Sequence, residues 1–75
     1  MTRMPQVTAR ELISFLKAQG FVEERQAGSH LTLWHAGRGV SVTIPVHMAC
    51  DIGRGLAVRI LKDAGFSVDD YLARR

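Results

Sequence analysis

The sequence predicts a small α+β domain in which a helix, a three-stranded antiparallel sheet, a second helix and a short last helix follow one another. Three observations predict this class. A capping pattern precedes an apolar stripe with a period of about 3.6 residues, glycine turns separate short alternating runs in the middle, and helical spacing then returns. With 75 residues and one cysteine, we expect a single domain spanning residues 1–75 without an intrachain disulfide.

The first helix is predicted to run from about Ala9 to Gln19. Thr8 and Glu11 form a capping box, because the Thr8 hydroxyl can accept from the backbone N–H three residues on and Glu11 can reach back. Gly20 supplies the left-handed end of the helix. The apolar side chains that share one helical face are Leu12, Phe15 and Leu16.

Three strands are predicted from the runs FVEERQ, LTLWH and VSVTI, with glycine-containing turns between them. In the second strand His30, Thr32 and Trp34 alternate with Leu31 and Leu33. One sheet face is therefore expected to be apolar and covered by helices, and the other to be polar and open. The first run alternates poorly, so its register is not predicted.

The second helix is predicted over the stretch LAVRILKDA, after a loop that follows Pro45 and contains His47. Gly65 ends this helix. The residues expected on its apolar face are Leu56, Ile60 and Ala64.

A short last helix is predicted from about Val68 to Ala73. Ser67 and Asp70 repeat the capping pattern of the first helix, and Phe66 and Tyr71 stand where a hydrophobic staple belongs. The chain therefore ends its predicted elements with a third, short helix.

Composition restricts the functional class only loosely. Ten basic and seven acidic residues give a net charge of +3, which is compatible with a nucleic-acid partner but does not require one. The N-terminal stretch MTRMPQ lacks the apolar region of a secretory signal, and no apolar run approaches the roughly 18 residues of a membrane span. A lone cysteine fits the reducing cytosol.

Two other sites are conceivable near the loop after Pro45. His47, Cys50 and Asp51 have ligand-like spacing, but no second group accompanies them, so a solvated loop is the better interpretation than a metal site. Cys50 could act as a nucleophile, but nothing around it resembles a cysteine hydrolase, and a half-buried cysteine is favoured.

His30 is the most informative candidate, because it follows Gly28 and Ser29 at the start of a strand. Imidazole can act as an acid or a base near neutral pH. The pattern alone still favours an ordinary surface histidine. Trp34 on the same face could stack on a base or be covered by a partner. His35 has the opposite parity and should not lie beside His30.

Several motifs occur in the order and spacing of a known family. They are GF at 20–21, RQAGSH at 25–30, the basic position His35, VTIPVH at 42–47, ILKDAG at 60–65 and the trailing SVDDYL. The chain resembles the HicA toxins, the ribonuclease halves of HicA–HicB toxin–antitoxin pairs. One departure is that Gly55-Leu56-Ala57 stands where the family usually has Gly-Thr-Leu, which puts the start of the second helix in doubt.

The resemblance implies a fold similar to a double-stranded-RNA-binding domain and a ribonuclease that cleaves messenger RNA. It assigns the catalytic role to His30, which Gly28 and Ser29 would hold in a tight turn, and it implies a HicB antitoxin that binds and blocks the toxin. We expect no metal and no cofactor. His47 is the first residue to test as a second acid or base.

The expected partners are RNA and the antitoxin, with no membrane. The toxin is expected to be monomeric when free and to form a higher oligomer with the antitoxin, in the cytoplasm. Two alternatives remain open: a non-catalytic RNA-binding module of the same fold, and a domain that only occupies a protein partner. The candidate RNA-binding residues are Arg25, Trp34, Arg54, Arg59 and Lys62.

Overall fold

The computed structural model describes residues 3–46 and 51–75. The predicted α+β class and its order of a helix, a three-stranded antiparallel sheet and two further helices are confirmed. The elements are β1 (Val7–Thr8), α1 (Ala9–Ala18), β2 (Val22–Ala27), β3 (His30–His35), β4 (Val40–Pro45), β5 (Asp51–Ile52), α2 (Arg54–Ala64) and α3 (Val68–Arg74).

Local side-chain chemistry defines both ends of α1. The Thr8 N–H donates to the Glu11 carboxylate at 2.9 Å, and the Glu11 N–H donates to the Thr8 hydroxyl at 3.1 Å, so the predicted capping box is confirmed. At the other end Gly20 has a φ of 103°, a conformation that favours glycine. The Phe21 N–H then reaches the Leu16 carbonyl at 3.0 Å, which satisfies a helix-end acceptor.

The main sheet has the order β2-β3-β4, with both pairs antiparallel. Its two faces separate as predicted: Leu31 and Leu33 are buried, whereas His30 is exposed and Trp34 is half-buried. The buried face joins α1 and α2 in a single core, so the helices cover only that side of the sheet.

A β-bulge explains why the first strand alternates poorly. Glu23 lies opposite Leu33, but Arg25 lies opposite Thr32, so Glu24 is an extra residue in β2. The bulge shifts the register by one residue, and strict alternation across it is lost.

A second, two-stranded sheet was missed in the sequence. Val7 pairs with Ile52 and Thr8 with Asp51, antiparallel. The pair joins the residues that precede α1 to those that precede α2. Two-residue strands are too short for an alternating pattern to indicate them.

The prediction for the second helix was wrong in two respects. The helix begins at Arg54, two residues before the predicted start, and its N-cap Gly53 offers no side-chain hydrogen bond. Leu56, which stands where the family has threonine, lies inside the first turn and not at the cap. Leu56 is 43% exposed and does not lie on the buried face. Steps of four residues rotate about 40° too far around a helix, so Leu56 and Ala64 do not share a face. The buried face consists of Ala57, Ile60, Leu61 and Ala64.

The last helix, α3, packs back on α1 through aromatic rings. Ser67 and Asp70 form the predicted capping box, and the Ser67 N–H that donates to the Asp70 carboxylate lowers the pKa of that carboxyl. Phe66 and Tyr71 both contact Phe15 edge to face, with ring centroids 5.4 and 4.9 Å away. In the described part of the chain, no helix combines the length and the apolar character that a membrane crossing requires.

Candidate functional site

His30 lies at one end of the central strand. It is the first residue of β3, opposite Ala27 of β2 and Pro45 of β4, and its side chain is exposed. Within residues 3–46 and 51–75 its ring makes no hydrogen bond and no ion pair. No group of the described residues therefore competes with a bound molecule for either ring nitrogen.

The turn before His30 is held from both sides. Gly28 has a φ of 60°, and no atom lies within 4 Å of where a Cβ would stand, so glycine is favoured for its backbone conformation and not for space. The Ser29 carbonyl accepts from the Val46 N–H at 2.6 Å, and the Gln26 amide donates to the Gly28 carbonyl at 3.4 Å. These bonds fix the backbone that carries the histidine.

Arg25 lies on the same sheet face as His30. Counting back from the two-residue turn puts Arg25 opposite Thr32, and directly paired residues share a face. Arg25 and His30 are thus diagonal neighbours, which lie about 7–8 Å apart between their Cα atoms. The Thr32 hydroxyl also lies 3.3 Å from the Thr43 hydroxyl of β4, so a polar row runs from Arg25 across all three strands.

Trp34 extends this face away from His30. It lies opposite Val22 of β2 and Ser41 of β4, and Val22 is 57% exposed. At about 3.3 Å per strand residue, the four steps from His30 to Trp34 correspond to roughly 13 Å. We call the surface formed by Arg25, His30, Thr32, Trp34 and Thr43 the open face. It presents an imidazole, a guanidinium and an indole together.

The three basic candidates of α2 lie elsewhere. This helix packs on the buried side of the sheet, and Arg59 and Lys62 are exposed on it. Arg54 donates from Nε to the Met4 carbonyl at 3.0 Å, so its guanidinium holds the N-terminal segment. The structure therefore does not bring Arg54, Arg59 and Lys62 together with His30.

His35 is separated from His30, as its parity predicted, and its ring is fully engaged. Its Nδ1 accepts from the Arg38 N–H at 3.0 Å, so Nε2 carries the proton and donates to the Gln19 carbonyl at 3.1 Å. The ring also packs edge-on against Phe21, with centroids 5.1 Å apart. A Cβ at Gly20 would lie 2.8 Å from His35 Nε2. This histidine has a structural role.

Two features of the open face were not foreseen. The Arg25–Thr32 pairing could have been found, because a two-residue turn at Gly28 and Ser29 dictates it by counting. The bond between Val46 and Ser29 has no local signal, because it joins residues that are distant in the sequence.

Of the three suggested metal ligands, only Asp51 belongs to the described residues. His47 and Cys50 lie outside the described residues, and Asp51 is exposed in β5. Among residues 3–46 and 51–75, no group of three or more His, Cys, Asp or Glu side chains could hold a metal ion.

Comparison with models of protein families gives a match over most of the chain. A family model described as the HicA toxin of bacterial toxin–antitoxin systems matches residues 9–66. The matched stretch runs from the first residue of α1 to Phe66 and contains the whole open face. No curated protein sequence matches the chain.

Proposed function

This chain belongs to the HicA toxin family of bacterial toxin–antitoxin systems, and we propose that it is an endoribonuclease that cleaves messenger RNA with His30 as its catalytic residue. The proposal includes catalysis without a divalent metal and inhibition by a HicB-type antitoxin in the cytoplasm. Membership of the family already implies an antitoxin partner.

One observation carries the proposal. His30 is an exposed imidazole on a rigid turn, with Arg25 as its diagonal neighbour on the same sheet face. An imidazole can exchange protons near neutral pH, and a guanidinium matches the geometry of a phosphate. A core or purely structural histidine has its ring nitrogens occupied, as His35 does.

The chemistry that fits these groups is internal transesterification of RNA. A base takes the proton of a ribose 2′-hydroxyl, the 2′-oxygen bonds to the adjacent phosphorus, and the bond from phosphorus to the 5′-oxygen breaks. The leaving 5′-oxygen takes up a proton from an acid. His30 can perform either transfer, which contributes typically about 10² to 10⁴-fold, while Arg25 stabilises the charge on the phosphate. A single histidine predicts a slow enzyme.

His47 is proposed as the second acid or base. Its support is positional, because Val46 precedes it in the chain and the Val46 N–H donates to the Ser29 carbonyl beside His30. A pair of imidazoles would let one side chain act as base and the other as acid.

RNA binding is proposed to use the open face. Arg25 contacts a phosphate, and the Trp34 ring stacks on an unpaired base, a contact that tolerates many sequences. Arg54, Arg59 and Lys62 on α2 are weaker candidates, because they lie on the helix that packs against the opposite side of the sheet. They would meet only RNA that extends around the molecule, as on a double-stranded-RNA-binding domain.

Inhibition is proposed to occur by steric masking. An antitoxin that covers His30 and Trp34 would exclude RNA from the open face. The proposal also includes a monomeric free toxin and a higher oligomer for its complex with the antitoxin.

One observation favours a second candidate, a non-catalytic RNA-binding module. In the described part of the chain no side chain orients the His30 ring, and an enzyme usually positions its acid or base. Such a module would bind RNA through the same face without cleaving it.

Induced expression of the wild type beside His30→Ala tests the proposal in cells. The wild type should arrest growth and degrade messenger RNA, and His30→Ala, with equal soluble protein, should do neither. Messenger RNA that remains intact with the wild type would favour the binding module. Degradation that persists with His30→Ala would remove His30 from the mechanism.

A further inference from the structure

A groove between α1 and α3 lies outside the open face. Its volume is about 630 Å³, within the range of about 300–1,000 Å³ that is usual for ligand sites. The floor includes Phe15, and the walls are formed by Arg10, Ser14 and Ala18 of α1 and by Tyr71, Arg74 and Arg75. We call this the α1–α3 groove. Since α1 covers the buried side of the sheet, the groove and His30 are on different sides of the molecule.

Tyr71 gives the groove an unused hydrogen-bond donor. The residue is only 2% exposed, and its ring is fixed by the edge-to-face contact with Phe15. Within residues 3–46 and 51–75 its hydroxyl has no hydrogen-bond partner. No buried side-chain oxygen or nitrogen of these residues lacks a partner, so the hydroxyl itself reaches solvent, through the groove that this side chain borders. A molecule in the groove would replace water as the partner of this hydroxyl.

The rim of the groove carries an excess of positive charge, with three arginines beside one glutamate. Arg10, Arg74 and Arg75 form no ion pair in the described ranges 3–46 and 51–75. The carboxylate of Glu11, which also lines the groove, already accepts from Thr8. Arg74 is held by one bond to the Gln19 side chain at 3.1 Å, which leaves most of its five N–H donors available.

These donors restrict the chemistry of the occupant. Guanidinium groups only donate and the tyrosine hydroxyl can donate as well, so a ligand with negatively charged oxygens complements this groove best. The buried rings of Phe15 and Tyr71 pack against each other and offer no open ring face on which a base could stack. An apolar floor with a cationic rim instead fits a peptide in which an apolar side chain is flanked by Asp or Glu.

We propose that the α1–α3 groove is a docking site for an acidic segment of the antitoxin that the family implies. Because the groove is remote from His30, this contact leaves the RNA-binding surface unchanged. It adds affinity to whatever contact the antitoxin makes elsewhere, since two linked contacts bind more tightly than one. The proposal needs the antitoxin partner but not the ribonuclease activity.

The test measures the dissociation constant of the cognate antitoxin, purified by co-expression, for a set of groove variants. Arg10→Ala combined with Arg74→Ala should weaken binding at least about tenfold, because two charge-assisted contacts are lost. Tyr71→Phe keeps the ring packing and removes only the hydroxyl, and it should weaken binding about threefold or more. Arg3→Ala removes one positive charge at an exposed position outside the groove and should leave antitoxin binding unchanged.

Three further measurements make the result specific. The unfolding temperature of each variant is recorded, so that a loss of stability is recognised. Arg10→Ala is also measured alone, because replacing Arg74 additionally removes its hydrogen bond to Gln19. Cleavage of an RNA oligonucleotide by the free variants should equal that of the wild type. Unchanged antitoxin affinity in the double variant and in Tyr71→Phe would overturn the proposal, and a loss confined to RNA affinity would make the groove a phosphate site. A wild type that binds antitoxin but cleaves no RNA would refute the nuclease alone.

Discussion

The imidazole of His35 donates to the main-chain carbonyl of Gln19, across 16 residues of sequence and at a distance of 3.1 Å. The acceptor is the residue that ends α1, whose carbonyl has no partner within the helix. Through Nδ1 the same ring accepts from Arg38, so one side chain joins the end of α1 to the turn between β3 and β4. The two histidines of β3 therefore have different environments.

His35→Ala should destabilise the fold. The substitution leaves the Gln19 carbonyl and the Arg38 N–H without partners and removes the contact with Phe21, which together should cost about 1–3 kcal/mol. In a domain of this size, each kcal/mol lowers the unfolding temperature by about 4–8 °C. His30→Ala is the matched control, and its unfolding temperature should stay within the small range of surface substitutions. Equal unfolding temperatures for the two variants would contradict the structural role of His35.

Arg25→Ala should weaken RNA binding and reduce its dependence on salt. A phosphate contact releases counterions, so its loss should reduce the slope of log K against log salt by about 0.7 for a single strand. The measurement is a titration of labelled RNA at several salt concentrations, in a His30→Ala background that prevents cleavage. Arg3→Ala carries the same change of charge at an exposed position outside every proposed site and should leave the slope unaltered. Equal slopes for Arg25→Ala and its parent would argue against an arginine–phosphate contact.

Cleavage should not require a divalent metal. His30 and Arg25 can supply proton transfer and charge stabilisation without a metal ion. The rate of cleavage of a purified RNA should therefore be the same with and without EDTA. Loss of activity on chelation, followed by recovery with one particular metal, would contradict this prediction and would favour a metal site in the stretch from His47 to Asp51.

Trp34→Ala should weaken antitoxin binding by about 2 kcal/mol or more, because a half-buried aromatic ring on a polar face is typical of an interface hot spot. Calorimetric titration of the antitoxin measures this change. His30→Ala should bind the antitoxin as the wild type does, since the inhibitor covers the surface without using its chemistry. RNA and antitoxin should also compete. A ternary complex with undiminished RNA affinity would contradict masking of the open face.

Most of the fold could be predicted from the sequence, because the informative patterns are local. The capping boxes at Thr8 and Ser67 involve residues three positions apart, and alternation in β3 separated His30 from His35 onto different faces. Each of these signals depends on side chains that are neighbours in the sequence.

The remaining features depend on contacts between distant residues. The pairing of Val7 with Ile52 and the bond between Ser29 and Val46 join segments that have no mutual signal in the sequence. Four-residue spacing groups Leu56 with Ile60 and Ala64, but this spacing drifts around a helix, and Ala57 makes the close approach to the core instead. The open face was predictable as a surface, but the catalytic role that we propose for it depends on the family resemblance.

The most direct test is the rate at which purified protein cleaves an RNA oligonucleotide in EDTA, measured for the wild type and for His30→Ala. A second oligonucleotide with a 2′-deoxyribose at the cleaved position serves as the substrate control. The account predicts that His30→Ala retains the wild-type unfolding temperature and cleaves at least about 10²-fold more slowly, and that the deoxy substrate resists both proteins. A His30→Ala protein that cleaves at the wild-type rate would contradict the central claim.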